Sequence, residues 1–86
     1  MKRMTDIHDF NVGEYYIHRR ENKDVLFIVR NIAKEMSQTS FAEFVVRGVT
    51  VNNIDGSKSA ITIYEETVYT YVIFHITKEE YPEYFL

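Results

Sequence analysis

The 86-residue chain, 27% charged and 45% hydrophobic, has the length and composition of one small globular domain. It holds no cysteine, which excludes a disulfide framework, thiolate zinc ligation and cysteine nucleophile chemistry. The net charge of −3 is too mild for a mimic of the DNA backbone and has the wrong sign for a sequence-independent nucleic-acid binder.

Residues 1–10, "MKRMTDIHDF", show weak periodicity and read as a loosely ordered N-terminal arm, leaving 11–86 as a single small β-rich domain. The arm has a basic start but lacks the apolar stretch of a signal peptide, and the longest purely apolar run is Val25 to Val29, so a soluble, cytoplasmic protein is expected.

"GEYYIHRR" (Gly13 to Arg20), the polar "ENKD" turn and "VLFIVRNI" (Val25 to Ile32) read as an antiparallel hairpin. Val25, Ile28, Val29, Ile32 and Met36 also fit helical spacing, but branching at Cβ in Val25, Ile28 and Val29 favours a central strand, with Ala33 to Gln38 open to helix. In "SFAEFVVRG", Ser40 and Glu43 have the form of a helix-capping box, yet the alternation of Phe44 to Val49 favours a strand bent by a bulge at Gly48. "VTVNN" and "AITIY" flank "IDGSKS", whose Asp55-Gly56 pair suits a tight turn. Glu65 and Glu66 form a short turn before a last strand from Thr67 to Ile76, and "TKEEYPEYF" opens with a Thr77/Glu80 capping box limited by Pro82 to a helix of about a turn or two or to 3₁₀ geometry. The expected fold is mostly β: a five-stranded antiparallel meander curled into a small barrel, with a short C-terminal helix.

The last strand poses the functional question. Its alternation puts Val68, Thr70, Val72, Phe74 and Ile76 on a core face and Tyr69, Tyr71, Ile73 and His75 on the other. The second face is either covered by the terminal segments or exposed as an interface, for which tyrosine suits because it brings a large contact area with few rotatable bonds. Tyr81, Tyr84 and Phe85 add apolar area near the chain end, to pack back, swap onto a second copy, or dock into another protein.

No metal, cofactor or enzyme site is expected. His8, His18 and His75 fall in no metal-ligand spacing. The pairs Glu65-Glu66 and Glu79-Glu80 suit a turn and a helix start better than acid–base catalysis, and Ser37, Ser40, Ser57 and Ser59 lack a nucleophile elbow. The expected function is a non-enzymatic protein-binding module with an interface of Tyr69, Tyr71, Ile73, His75, Tyr81, Tyr84 and Phe85. Such a module suits a small regulator or inhibitor of a larger assembly, of the kind that phage and mobile elements encode. A homo-oligomer is the alternative assembly. The alternative function is a small-barrel single-stranded nucleic-acid binder, with Arg19, Arg20, Lys23, Arg30 and Arg47 holding phosphates and Tyr15, Tyr16, Tyr64, Tyr69, Tyr71, Phe27, Phe41 and Phe44 as the stacking aromatics.

Overall fold

The computed structural model describes residues 1–36, 42–51, 53 and 55–85. Ser37, Gln38, Ser40, Phe41, Asn52 and Ile54, which enter the readings above, lie outside the described residues. Among the described residues six strands form one antiparallel sheet: β1 (Lys2–Arg3), β2 (Tyr15–Arg20), β3 (Lys23–Met36), β4 (Ala42–Thr50), β5 (Ala60–Tyr64) and β6 (Val72–Ile76), in the order β1-β6-β2-β3-β4-β5. The mostly β class holds, and so does the strand reading of the two segments that had helical alternatives; Ala33 to Met36 continues β3. All five residues from Val25 to Val29 are buried, as a central strand covered on both sides requires.

Three parts of the expected fold are corrected. Firstly, the sheet does not close into a barrel: β5 and β1 stand at opposite ends of it. The chain leaves β5 and returns to β6, which inserts between β1 and β2, so the meander is broken. Closure is unnecessary because local chain segments cover the sheet. Met4, Ile7, Phe10 and Val68 pack on Tyr16, Phe27, Val29, Val46, Ile63 and Ile73. A smaller cluster of Ile17, Leu26 and Ile76 lies on the reverse side, packed by Tyr15 and Tyr81. Secondly, residues 1–10 are not a loose arm. Lys2 and Arg3 pair with His75 and Phe74, Ile7–Asp9 form a 3₁₀ turn capped by Asp6, and Met4, Ile7 and Phe10 are at most 3% exposed.

Thirdly, no C-terminal α-helix forms; of the two options that Pro82 leaves, the segment takes 3₁₀ geometry. The Thr77/Glu80 capping box does form, with Glu80 N–H donating to Thr77 Oγ1 at 3.3 Å and Thr77 N–H to Glu80 Oε1 at 3.2 Å. It organises only one turn, because Pro82 has no N–H to continue the helix and the chain passes into a 3₁₀ turn at Pro82–Phe85. The Met1 ammonium pairs with the Glu80 carboxylate; that contact first, then the Thr77 hydroxyl, holds Glu80 below its ordinary range.

The bend expected at Gly48 exists, but the extra residue is on the facing strand: Val29 pairs with Gly48 and Asn31 with Arg47, so Arg30 is the bulge. Gly48 permits the close approach, because a Cβ there would collide with the Ile28 carbonyl oxygen and lie 3.2 Å from Phe27 Cδ2. The Asp55-Gly56 turn is present with Gly56 at φ 75°, and Asp55 Oδ1 accepts from the Ser57 N–H at 2.9 Å. β4 ends at Thr50, however, so "VTVNN" is only partly strand. Buried Thr50 organises the loop that follows, its Oγ1 accepting from Asn53 Nδ2 and the Ser59 N–H, each at 2.9 Å.

Candidate binding surface

The last strand is shorter than its alternation suggests, and this relocates the tyrosines. Strand geometry begins only at Val72, after a 3₁₀ turn at Glu65–Thr67. Thr67 is the cause. Its hydroxyl accepts from the Tyr64 N–H at 3.1 Å and donates to the Tyr64 carbonyl at 3.0 Å, while its own carbonyl accepts from the N–H groups of Thr70 and Tyr71 at 3.0 and 3.2 Å. Such local bonds compete with a strand ladder.

The expected interface residues therefore separate. Ile73 is fully buried, paired with His18 and packed in the main core, so it offers nothing to a partner. Val72 and Phe74, expected in the core stripe, are half-buried on the reverse side, and Thr70 is exposed. Tyr71 lies flat on His18, ring centroids 4.8 Å apart at 28°. Burial, then the charge of Arg20, pushes His18 below its ordinary value and favours the neutral ring in this stack. Tyr69 alone of the four projects freely, 72% exposed. Tyr81 is half-buried, its hydroxyl 3.7 Å from Met1 Sδ. The side chains of Tyr84 and Phe85 lie outside the described structure.

His75 belongs to a different constellation. Its Nε2 is 3.0 Å from Glu14 Oε2, the oxygen that also receives the Tyr16 hydroxyl at 3.4 Å and Asn11 Nδ2 at 3.3 Å. The Asn11 N–H donates to the Tyr16 hydroxyl oxygen at 2.8 Å, and the Tyr16 ring packs against Phe10, Phe27 and His75. The network borders a cleft of about 410 Å³ that Lys2, His8 and Asp9 also line. Chemically it acts as a latch: Glu14 ties the turn at Asn11, the core tyrosine of β2 and the histidine of β6 together. Burial foremost, aided by the Glu14 charge and opposed by the Asn11 N–H, pushes the Tyr16 hydroxyl up to about 12, outside the range useful for proton transfer near neutrality. Asn11, Glu14 and Tyr16 are near neighbours in sequence, and only the fold brings His75 to Glu14.

The raised hydroxyl has a stability consequence. An unfolded tyrosine ionises near pH 10, below the folded group, so the contribution of Tyr16 is complete below about pH 10 and is lost as the pH rises through about 12. Unfolding midpoints measured across this window are expected to fall more steeply for the native chain than for Tyr16→Phe. At neutral pH the same variant is expected to lose about 1 kcal/mol, having left the Asn11 N–H unpaired. Parallel pH profiles for the two chains would remove Tyr16 from this role.

The five basic residues do not converge. Arg19 is held by Asp24 at 2.9 Å and lies over the Phe74 ring at 4.9 Å. Arg20 and Lys23 line a groove of about 650 Å³, but Asp24 and Asp55 line it too. Arg30 is the exposed bulge residue, and Arg47 on β4 pairs with Thr62 on β5. Among the described residues no group of histidines and carboxylates is placed to hold a metal ion.

Tyr64, expected only among the base-stacking aromatics, is 40% exposed at the end of edge strand β5 and flanks the Glu65–Thr67 turn on the side away from Tyr69. No protein-family model matches the chain, and no curated protein or solved structure matches it.

Proposed function

We propose that this protein is a non-enzymatic binding module whose partner is another protein, held by the turn between β5 and β6 with Tyr69 as its anchor. The observation that carries this reading is the 72% exposure of Tyr69 on a turn fastened from both sides. Val68 before it is 1% exposed in the core, Tyr71 after it is stacked on His18, and the Thr67 hydroxyl ties the turn to Tyr64. A large amphipathic ring on a preorganised turn loses little conformational freedom on binding, which is the property that concentrates affinity in interface tyrosines. Tyr64 supplies a second ring, and Glu65 and Glu66 between them favour a partner with basic residues at its rim. A regulator or inhibitor of a larger assembly acts through such contacts alone.

The interleaving of Asp24 and Asp55 with Arg20 and Lys23 weighs against the nucleic-acid reading. Nuclease-treated lysate passed over immobilised native chain and over Tyr69→Ala separates the two. The expected result is a protein retained by the native chain and reduced at least tenfold by Tyr69→Ala, with the melting temperature unchanged. Retention that disappears with nuclease and follows Arg20→Ala/Lys23→Ala instead would replace this function with nucleic-acid binding.

A further inference from the structure

His18 on β2 carries a nitrogen with nothing to bond. Its Nδ1 is sealed from solvent and has no hydrogen-bond partner among the described residues. A neutral imidazole tolerates this, since one of its nitrogens bears no hydrogen, but the imidazolium bears one on each and would set an N–H where nothing accepts it. No neighbour compensates. On its face of the sheet His18 has Tyr16 and Arg20 on its own strand, Lys23 and Val25 on β3, and Ile73 and His75 on β6. Among the described residues no carboxylate pairs with it, because Glu14 engages His75 and Asp24 engages Arg19. Burial first, and then the Arg20 cation, hold the ring neutral. The neutral ring is the one on which Tyr71 lies flat.

We propose that the His18–Tyr71 stack is an acid-sensitive clasp: protonation of His18 parts the two rings and frees one side of the turn that carries Tyr69. The new N–H reaches water only when the imidazole turns, and Tyr71, with its centroid 4.8 Å away over the ring face, stands in the path of that rotation. Attraction of the cation to the tyrosine face offsets part of the cost but supplies no acceptor. The turn follows Tyr71 because the two are joined: the Tyr71 and Thr70 N–H groups both donate to the Thr67 carbonyl, at 3.2 and 3.0 Å. Buried Val68 keeps the other side in place. Tyr69 thus passes from a turn fixed at both ends to one fixed at a single end, and loses the preorganisation that favours binding. Because folding lowers His18 below the ordinary value of about 6.5, the clasp is complete above that pH and weakens as the pH falls from there through the folded value. The effect on binding rests on the Tyr69 reading; the clasp itself does not.

Nuclear magnetic resonance on the intact chain, without a partner, tests the clasp from about pH 8 to about pH 5. The His18 imidazole is expected to titrate below about 6.5, with the Tyr71 ring signals shifting at the same midpoint. Protection of the Thr70 and Tyr71 amides from hydrogen exchange is expected to fall by up to about tenfold per pH unit below that value, one proton being taken up on opening. The Gly56 amide, which donates to Asn53 in a turn without histidine, is expected to stay level. His18→Phe keeps a ring for Tyr71 and has nothing to protonate, so its Thr70 and Tyr71 amides are expected to lose the pH dependence. Tyr71→Ala is expected to raise the His18 midpoint toward the ordinary value. A native His18 that titrates at or above about 6.5, a midpoint unchanged in Tyr71→Ala, or pH-dependent protection that persists in His18→Phe would overturn the proposal. Should His18→Phe fail to fold, the titrations of the native chain and of Tyr71→Ala decide the matter. A clasp that titrates as expected, beside a Tyr69→Ala chain that still retains the partner, would uphold the clasp and strike the binding reading alone.

Discussion

A chain lacking residues 1–10 is expected to lose its cooperative unfolding transition. Met4, Ile7 and Phe10 are all within 3% of complete burial and cover the main core, packed with Tyr16, Phe27 and Ile73. Burying side chains of this size contributes about 1.5–3 kcal/mol each, so the three together approach the roughly 5–15 kcal/mol by which a small domain is stable. Their removal would also open a sheet face that the absent barrel closure leaves to local cover, and would withdraw β1 from the edge of β6. Thermal denaturation followed by circular dichroism measures the effect, with Ile7→Ala/Phe10→Ala as the milder variant. That pair is expected to cost about 5–10 kcal/mol, the sum of two large-to-small core replacements. A truncated chain that melts as sharply and as high as the native one would return these residues to the status of a loose arm.

Gly48→Ala is expected to destabilise the fold by about 2–3 kcal/mol, at the upper end of the cost of overpacking. For a domain of this size that corresponds to a fall of roughly 10–20 °C in melting temperature. The added methyl would meet backbone, the Ile28 carbonyl oxygen, and a ladder cannot move aside as a flexible side chain can. The Arg30 bulge lies beside this point of the β3–β4 ladder. Gly56→Ala is the control. Its cost arises from φ 75°, with no atom within 4 Å of the added carbon, and is expected to be near 1 kcal/mol. Equal losses at the two positions would remove the steric argument for Gly48.

The strands were legible where composition and alternation agreed. The β-branched run at Val25 to Val29 became the central strand, and Asp55-Gly56 became a turn. The N-terminal segment has neither strand nor α-helical alternation, which is why it reads as a loose arm. Met4, Ile7 and Phe10 recur every third residue, the spacing of a 3₁₀ turn, and Ile7–Asp9 adopts one. The sorting of Tyr69, Tyr71, Ile73 and His75 depended on where the strand begins. Parity holds from Val72 onward, where His75 and Ile73 share a side with Tyr16 and His18. Before it, the local hydrogen bonds of Thr67 override alternation and free Tyr69. The open sheet and the Glu14–His75 contact were beyond reach for a different reason, since both follow from where β6 inserts.

The insertion of β6 between β1 and β2 also orders the assembly of the chain in time. β2, β3, β4 and β5 each pair with a sequence neighbour and can grow by short loop closures. The pairing of Arg19 with Val72, by contrast, must close a loop through all of them, as must that of Lys2 with His75. Until β6 docks, β2 keeps an open flank, the core tyrosine Tyr16 lacks its histidine neighbour, and β1 has nothing to join. High sequence separation of this kind slows folding. Substitutions in the β2–β5 hairpins should therefore change the folding rate, whereas those at the β1–β6 and β2–β6 seams should act chiefly on the rate of unfolding.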